Sequence, residues 1–453
     1  MKRVLVITYY WPPTGGSGVQ RWVKFIKYLH LEGWESVVYT PENPERTSYD
    51  ETLIDDVYHG LEIIRRPIRE PYQIYRRIMG KCASTDIKTM VKNFAAADGD
   101  VVTPISSGRK SFKQRLSLWI RANLFVPDPR VGWVRPSVRF LKKYLKDHPV
   151  DAIVTTGPPQ SMHLIGQRLH RALGIPWIAD FRDPWTKMYY LRHLPLTKRS
   201  WRRLHEMEES VAREASAVLT VTPMVQEYFK GLTDRPVAMI TNGFDDIDFL
   251  GNLFPAPDGR FNLVHTGLFA ADGNPLVLWK VLGEMAAESE DFKKQLRLRF
   301  AGKVDKEVMD SIREAGIGDA VVNLGYCNHK KAIWEQCAAS LLLLPLRNDP
   351  EYRVILPGKL FEYLASKKPI LGIGQEDGAT AAVLKETEAG VMADWDNEKA
   401  IREFIELIWN KFDGGRRYVQ WETKNIDRYT RRSLTAELAK LLDSVTINNK
   451  LVP

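Results

Sequence analysis

One stretch decides the fold predicted for this chain: residues 357–371, which read PGKLFEYLASKKPIL. Its opening Pro-Gly pair predicts a turn, and Pro369 precedes a short apolar run typical of a strand. Between them, Leu360, Phe361 and Leu364 recur at the spacing of one helix face. The stretch therefore predicts a buried turn, helix and strand in succession.

This helix carries a single carboxylate, Glu362, which we expect in its first turn. There the helix dipole and the unpaired N–H groups favour negative charge. Such a carboxylate can accept two hydrogen bonds from a vicinal diol, as a nucleotide ribose presents it, while Lys359 and the turn N–H groups face phosphate oxygens. The predicted ligand therefore contains ribose and diphosphate.

The same residues resemble the nucleotide-sugar motif of the family 4 glycosyltransferases, whose fold is GT-B. The resemblance implies that Glu362 binds the donor ribose. That family usually has a second Glu eight positions earlier, near the transferred sugar, but this chain has Val354 there. Glu351 and Arg353 are the candidates to replace it. An ordinary exposed helix glutamate is the alternative interpretation of Glu362.

The composition predicts a globular protein of two or three domains, since 453 residues contain 44% hydrophobic and 27% charged residues. Three cysteines without Cys-x-x-Cys spacing indicate neither a disulfide framework nor a zinc site, and they favour a reducing cytoplasmic location.

The net charge of +9 is concentrated, because residues 61–149 hold 19 Lys and Arg but 7 Asp and Glu. Such a segment can meet nucleic acid, an anionic membrane face, or an acidic or pyrophosphate-bearing substrate. Because no nucleic-acid-binding signature appears, we expect acceptor contact or peripheral contact with the inner membrane face. A merely solvated basic face is the alternative.

The N-terminal residues predict the first half-unit of a doubly wound sheet. Lys2–Tyr9 is strand-like, a glycine-rich loop follows, and Val19–Leu31 has helical spacing. Gly16 and Gly18 are candidates for donor or acceptor contact, because glycine admits a ligand close to the backbone and a helix N-terminus favours an anion. Arg21 argues against a dinucleotide-binding oxidoreductase, whose fingerprint needs a small residue there. A tight turn without a ligand is the alternative.

Another predicted strand begins at Asp151 and ends at Thr156. Many family 4 enzymes place a histidine at this strand end, against the donor. By this resemblance Thr156 is a candidate donor contact, and His163, in the next helix, is a candidate catalytic residue that replaces the histidine. A structural helix histidine is the alternative.

Polar residues also follow the strand at Pro176–Ala179, in the motif Asp-Phe-Arg-Asp-Pro-Trp. In open α/β sheets the carboxyl ends of the strands face the ligand crevice. Asp180 and Asp183 are candidates to orient or deprotonate an acceptor hydroxyl, and Arg182 is a candidate to bind phosphate. A subgroup of family 4 has a similar motif. An Arg–Asp pair that braces the loop is the alternative.

In the second half, Gly267 follows a strand and resembles the family's diphosphate-contacting glycine. The family often places cations after this glycine, and here Lys303, at the end of another strand, is the candidate to supply the charge. A solvent-facing lysine is the alternative.

The alternation of strands and helices and the resemblance predict an α/β protein of the GT-B class, with two facing doubly wound, Rossmann-like parallel-sheet domains and a cleft between them. We expect an acceptor-side domain at residues 1–245, in which residues 60–145 form basic helices and loops. A nucleotide-sugar-binding domain follows at residues 246–430, and residues 431–453 return to the first domain as a C-terminal helix and tail.

The activity implied by the resemblance is transfer of a sugar from a nucleoside diphosphate sugar, with UDP-sugars as the first candidates, and with retention at the anomeric carbon. Hexosyl or N-acetylhexosaminyl transfer to a glycan or lipid-linked acceptor in bacterial surface polysaccharide synthesis is expected. No metal or other cofactor is expected, because two Asp-x-Asp signatures lack a convincing nucleotide strand before them. A GT-B-fold nucleotide-sugar epimerase and an inactive nucleotide-sugar-binding partner protein are the alternatives.

Overall fold

The computed structural model describes residues 1–45, 49–69, 118–120, 122–188, 191, 194–250, 258–414, 419 and 421–450. Contacts divide the chain into two units, which we call the first unit (Met1–Thr241 with Arg432–Pro453) and the second unit (Asn242–Arg431). Most of the basic segment, namely residues 70–117 and 121, lies outside the described residues.

The first unit contains a parallel sheet in the order β3-β2-β1-β4-β5-β6-β7. Its strands are β1 (Lys2–Ile7), β2 (Trp34–Pro41), β3 (Glu62–Arg66), β4 (Ala152–Gly157), β5 (Trp177–Phe181), β6 (Ala217–Thr220) and β7 (Val237–Met239). Helices α1 (Ser17–Leu29), α2 (Val131–Asp147), α3 (Ser161–Leu173), α4 (Lys198–Glu214) and α5 (Pro223–Lys230) accompany it. Successive residues of β1 enter different cores, Leu5 in one and Val6 in the other, because side chains alternate across a strand.

Strand β3 corrects the expectation that residues 60–145 contain helices and loops. It pairs in parallel with β2, from Val37 opposite Glu62 to Pro41 opposite Arg66. The strand lies at the sheet edge and is only partly buried, so it lacks the continuous apolar run by which a central strand is recognised.

The second unit contains a parallel sheet in the order β10-β9-β8-β11-β12-β13. Its strands are β8 (Phe261–Thr266), β9 (Leu296–Ala301), β10 (Val321–Gly325), β11 (Leu341–Pro345), β12 (Ile370–Ile373) and β13 (Gly390–Ala393). Its helices are α6 (Leu276–Glu288), α7 (Glu290–Gln295), α8 (Lys306–Glu314), α9 (His329–Cys337), α10 (Gly358–Ser366), α11 (Ala379–Thr387) and α12 (Glu398–Lys411). Both sheets are doubly wound, as the alternation predicts.

The last helix, α13 (Arg431–Lys450), packs into the core of the first unit. Its Leu434, Leu438 and Leu442 belong to the cluster that contains Val4 and Val6 of β1. Burial of this apolar stripe joins the C-terminal segment to the N-terminal sheet. Within the described residues, no helix combines the length and the apolar character needed to cross a membrane.

The strand orders fix where ligand-binding loops can lie. In the first sheet β1 lies between β2 and β4, and in the second β8 lies between β9 and β11. The strand order reverses at these points, and loops at the carboxyl ends of strands diverge there to leave a crevice. The segments after β1, β4 and β8 are therefore the places to examine for a site.

Candidate active site

Glu362 lies on α10, whose Leu360, Phe361 and Leu364 are fully buried as predicted. Its Oε1 lies 3.2 Å from Nε2 of His329, and its Oε2 accepts a hydrogen bond of 3.0 Å from Nε2 of Gln336. The carboxylate therefore has a fixed orientation.

The electrostatics keep this carboxylate ionised at neutral pH. Burial raises the pKa of Glu362, but the hydrogen bond and charge of His329, the hydrogen bond of Gln336 and the charge of Arg431 together outweigh it, and the pKa lies below its usual range. The side chain remains 20% exposed. Because an ionised carboxylate has about four acceptor positions, Glu362 retains capacity for a diol.

The expected position of Glu362 in the first helical turn is wrong. Helix α10 begins at Gly358, directly after Pro357, and its first turn contains no acidic residue. Glu362 is one turn further along, where the dipole of the helix N-terminus has little effect. Its neighbours on α9, and not the helix end, hold the charge.

The residues that orient Glu362 were not identified from the sequence. His329 and Gln336 lie seven positions apart on α9, and this spacing returns to the same helix face after two turns. Gln336 also donates from Nε2 to Oγ1 of Thr266, at 3.2 Å, so α9 is connected to the end of β8. In the sequence, two polar residues at a seven-residue spacing just before the buried β11 could have indicated this polar helix face.

Lys359 lies one turn before Glu362, beside the turn that follows β8. Gly267 has φ +90°, and a Cβ there would lie 3.1 Å from Nζ of Lys359. Positive φ and this close approach explain the glycine. The structure thus places the ammonium group of Lys359 beside the turn at Gly267, and Glu362 lies on the same helix as Lys359.

His265, another residue that sequence reasoning missed, sets the position of this ammonium group. Its Nδ1 lies 3.0 Å from the carbonyl oxygen of Leu343, and its Nε2 lies 3.3 Å from the carbonyl oxygen of Leu268 and 3.4 Å from Nζ of Lys359. Burial, and secondly the charge of Lys359, lower the pKa of His265 to about 3. The imidazole is therefore neutral at physiological pH. In the sequence, the position of His265 directly before Thr266 and Gly267 could have indicated that it lies at the site.

The ends of β8 and β9 approach each other closely. The N–H of Gly267 donates to the carbonyl oxygen of Ala301 at 2.9 Å, and a Cβ on Gly302 would lie 2.0 Å from the carbonyl oxygen of Gly267. The carbonyl oxygen of Lys303 accepts a 2.9 Å hydrogen bond from Phe269. The backbone of Lys303 therefore supports the turn, whereas its side chain is 68% exposed and its Nζ lies 3.5 Å from Asp305 Oδ1.

Arg353 lies in a short 3₁₀ helix, Pro350–Val354, after β11. Its guanidinium pairs with Asp377 at 2.5 Å, on the loop between β12 and α11. The backbone carbonyl of Arg353 lies close to Gly378 of the same loop, 3.2 Å from where a Cβ would be. These contacts hold Arg353 at the β12 loop, and its role as a replacement for the missing Glu stays a prediction.

In the first unit, Asp180 is fully buried at β5 and accepts several hydrogen bonds. Its Oδ2 accepts from Nε1 of Trp22 at 2.7 Å and from Oγ1 of Thr156 at 2.9 Å. Its Oδ1 pairs with Arg21 at 3.3 Å, and Arg21 also donates to the carbonyl oxygen of Thr241 at 2.8 Å. The enclosure favours an orienting role for Asp180 over proton transfer. In the sequence, Arg21 served only as an argument against a dinucleotide-binding fingerprint, and its buried ion pair with Asp180 was not predicted.

His163 is also fully buried, on α3, and its ring stacks on Phe181 with centroids 4.4 Å apart. Nδ1 lies 2.8 Å from Oγ1 of Thr155, which accepts from Nε1 of Trp177 at 2.8 Å. Burial is the largest cause that lowers the pKa of His163 to about 3. The ring is therefore neutral at physiological pH.

Arg182 donates to the carbonyl oxygens of Gly157 and Pro158, both at 2.9 Å. It therefore braces the turn after β4, next to His163, whose Nε2 would lie 2.6 Å from a Cβ on Gly157. Asp183, two residues after β5, is partly exposed. The catalytic roles of Asp183 and His163 stay predictions.

The glycine loop after β1 leads directly into α1. Gly16 is the N-cap residue with φ +116°, and its carbonyl oxygen accepts from Val19 and Gln20, both at 3.1 Å. A Cβ on Gly16 would meet nothing within 4 Å, and Gly18 lies in the first helical turn. The space beside this helix N-terminus is compatible with an anionic ligand. In the part of the chain described, no three His, Cys, Asp or Glu side chains converge to hold a metal ion.

A family model described as a glycosyl transferase 4-like domain matches residues 83–243, somewhat more than a third of the chain. No curated protein sequence matches.

Solved structures similar to this one share its architecture at low sequence identity. A glycosyltransferase from Rickettsia africae has a TM-score of 0.59 at 11% identity, over 99% of each chain. WaaG, a glycosyltransferase involved in lipopolysaccharide biosynthesis, has a TM-score of 0.53 at 12% identity, over 97% of this chain and 99% of its own. A putative UDP-N-acetylglucosamine 2-epimerase from Listeria monocytogenes has a TM-score of 0.54 at 9% identity, over 100% of this chain and 97% of its own.

The fold is GT-B, as predicted, since both sheets and these neighbours have that architecture. The chain is thus similar in sequence to a glycosyl transferase 4-like domain over residues 83–243, and similar in fold to GT-B glycosyltransferases.

Proposed function

We propose that this protein is a retaining glycosyltransferase that moves a hexosyl or N-acetylhexosaminyl group from a nucleoside diphosphate sugar to a glycan or lipid-linked acceptor. UDP-sugars are the first candidate donors, and bacterial surface polysaccharide synthesis is the proposed setting. The subgroup of family 4 that has the Asp-Phe-Arg-Asp-Pro-Trp motif is the proposed relative. The observation that carries the proposal is the arrangement of Glu362, Lys359 and Gly267 at the end of β8.

Two groups on one helix face match the two polar parts of a nucleoside diphosphate. Residues three apart on a helix are neighbours, so Lys359 and Glu362 present a cation and an anion about one turn apart. A ribose diol donates to the carboxylate, and the diphosphate lies near the ammonium group and the turn at Gly267.

This arrangement supports catalysis by stabilising the leaving group. The bond between the anomeric carbon and the phosphate oxygen breaks, and the nucleoside diphosphate keeps the electron pair. Lys359, assisted by Lys303, stabilises the charge that develops, and because its position is set before reaction, little reorganisation is needed. The acceptor hydroxyl forms the new bond and loses its proton to the leaving phosphate oxygen or to Asp183, which is less enclosed than Asp180.

An epimerase acting on nucleotide sugars is the second candidate, because it needs the same ribose and diphosphate contacts. Val354 at the position of the family's sugar-contacting Glu, and the GT-B neighbour from Listeria monocytogenes, favour keeping it. An inactive partner protein would bind the donor without turnover.

The test is release of free nucleoside diphosphate from a panel of nucleotide sugars, with and without membrane extract. Lys359→Met should abolish release, while Lys367→Met, an exposed lysine at the other end of α10, should not change it. Release that requires the extract would identify the donor and a membrane-derived acceptor. Donor binding without release, together with conversion of the sugar, would replace the transferase with an epimerase.

A further inference from the structure

The segment that follows β5, residues 182–186, carries Asp183, a candidate acceptor of the hydroxyl proton in the proposed transfer. Its first residue, Arg182, donates to two carbonyl oxygens of the turn after β4 and so anchors the segment at that end. Its last two residues, Trp185 and Thr186, are buried. The contacts of this buried end, together with those of Arg182, therefore determine where Asp183 lies.

Glu208, on α4, holds the buried end of the segment. Its Oε1 accepts from the N–H of Trp185 at 2.6 Å, and its Oε2 accepts from Oγ1 of Thr186 at 2.6 Å. Oε2 also accepts from the phenol oxygen of Tyr228, on α5, at 2.8 Å. One carboxylate thus joins the segment after β5 to both α4 and α5.

Stability alone does not explain a carboxylate at this position. Glu208 is 1% exposed, and the groups that donate to it here are neutral. Burial of a charge without a cation costs free energy, and burial is the largest cause that raises the pKa of Glu208. What the charge provides is firmness, because hydrogen bonds to an ionised acceptor are shorter and stronger than neutral ones. A carboxylate therefore fixes the main chain at Trp185 better than an amide can.

We propose that Glu208 is a positioning residue of the sugar transfer, which holds residues 182–186 so that Asp183 meets the acceptor hydroxyl. It acts through the main chain of Trp185 and the hydroxyl of Thr186 and touches no substrate. The inference rests on the proposed function, because Asp183 takes part only if the chain transfers a sugar. When Glu208 gains a proton, the protonated oxygen becomes a donor and holds its partner less firmly. The segment then loosens and turnover falls.

The groups around Glu208 leave this titration to the carboxylate itself. Tyr228 contacts it from α5, and burial and then the charge of Glu208 raise the pKa of this phenol, which stays a donor. Glu209 follows on α4, and Lys187, just after the segment, has its Nζ 5.8 Å from the centroid of the Tyr228 ring. His163, on α3, stacks on the indole of the segment and is neutral, since burial lowers its pKa to about 3.

The experiment measures the maximal rate of nucleoside diphosphate release in membrane extract, with the donor that wild type uses, as a function of pH. Glu208→Gln should lower this rate about 10- to 100-fold through misplacement of Asp183, and the Kd of the nucleoside diphosphate should not change. Glu214→Gln is the matched control, because Glu214 lies on the same helix and accepts from Gln167 and Ser210 instead of the segment. It should release at the wild-type rate.

Two further substitutions separate positioning from folding. Tyr228→Phe removes one donor to the ionised carboxylate, so the pKa of Glu208 rises and the acid limb of the rate should move up by about one pH unit. Thr186→Val should lower the rate as Glu208→Gln does, whereas Thr186→Ser, which keeps the hydroxyl, should restore it. A merely structural role would lower the thermal midpoint and leave the acid limb in place.

A wild-type rate in Glu208→Gln or Thr186→Val, or an acid limb that Tyr228→Phe does not move, would overturn the positioning role. A loss of rate that only follows the loss of folded protein would overturn it too. Release by wild type that these variants do not change refutes the positioning role alone. Absence of release by wild type under every condition refutes the proposed function, and this inference with it.

Discussion

Replacement of Glu362 by Gln should weaken the binding of a nucleoside diphosphate by removing a charged acceptor for the ribose. The amide has nearly the same shape but offers one acceptor oxygen where the carboxylate has two. A hydrogen bond to a charged group contributes about 1.5–3 kcal/mol. Because the side chain is 20% exposed, we take the lower part of this range. One lost bond and one weakened bond then amount to about 2 kcal/mol, or roughly 30-fold in Kd.

The assay is calorimetric titration of wild type and Glu362→Gln with UDP and with its 2′,3′-dideoxy analogue, at neutral pH, where the carboxylate is ionised. Wild type should bind the analogue roughly 30-fold more weakly than UDP, whereas the variant should discriminate little. Glu403→Gln, an exposed carboxylate on α12, is the control and should behave like wild type. GDP, ADP, CDP and TDP are titrated alongside. Wild type and variant, each with a nucleotide and its dideoxy analogue, form a thermodynamic cycle, which is completed with the nucleotide that binds most tightly.

The cycle separates direct contact from an indirect effect. If Glu362 binds the diol, the losses from the variant and from the analogue are not additive, and the coupling is about 2 kcal/mol. Equal discrimination by both proteins would refute the assignment, since the carboxylate would then act without touching the ribose. A loss of thermal stability in Glu362→Gln as large as its loss of binding free energy would indicate that Glu362 chiefly holds α9 against α10.

Three further predictions concern stability. The pKa of His163 in the first unit and of His265 in the second is about 3 in the folded protein, below the unfolded value of 6.5, so acidification favours unfolding. Urea unfolding should show each histidine removing stability as pH falls below 6.5, by about 1.4 kcal/mol per pH unit at most, and His265→Gln should reduce that slope. Gly302→Ala should cost more than about 3 kcal/mol because the Cβ would lie 2.0 Å from a backbone oxygen. Gly316→Ala, where nothing lies within 4 Å, should cost only about 1–2 kcal/mol for its positive φ, and similar midpoints for the two variants would contradict this account. Asp180→Asn leaves the charge of a fully buried arginine without its counter-ion and should lower the free energy of unfolding of the first unit by about 3–5 kcal/mol. A folded variant of unchanged denaturation midpoint that lost activity would instead support catalysis by Asp180.

Local patterns were sufficient for the elements that carry the site. Leu360, Phe361 and Leu364 share one helix face wherever the helix begins, so their burial could be predicted from their spacing alone. Lys359 and Glu362 are neighbours for the same reason. The edge strand β3 was missed because its partial burial leaves no continuous apolar run for a local pattern to detect.

The sequence by itself determined the alternation of strands and helices, the GT-B class by resemblance, the position of Gly267 at a strand end, and a separate helix that carries a cation and an anion. Only the tertiary structure decided which side chains hold these groups. His265 reaches Lys359 across 94 residues, and Arg21 reaches Asp180 across 159. Such contacts depend on strand order and helix packing, which local periodicity does not encode, and the low dielectric of the interior then gives them their effect on charge.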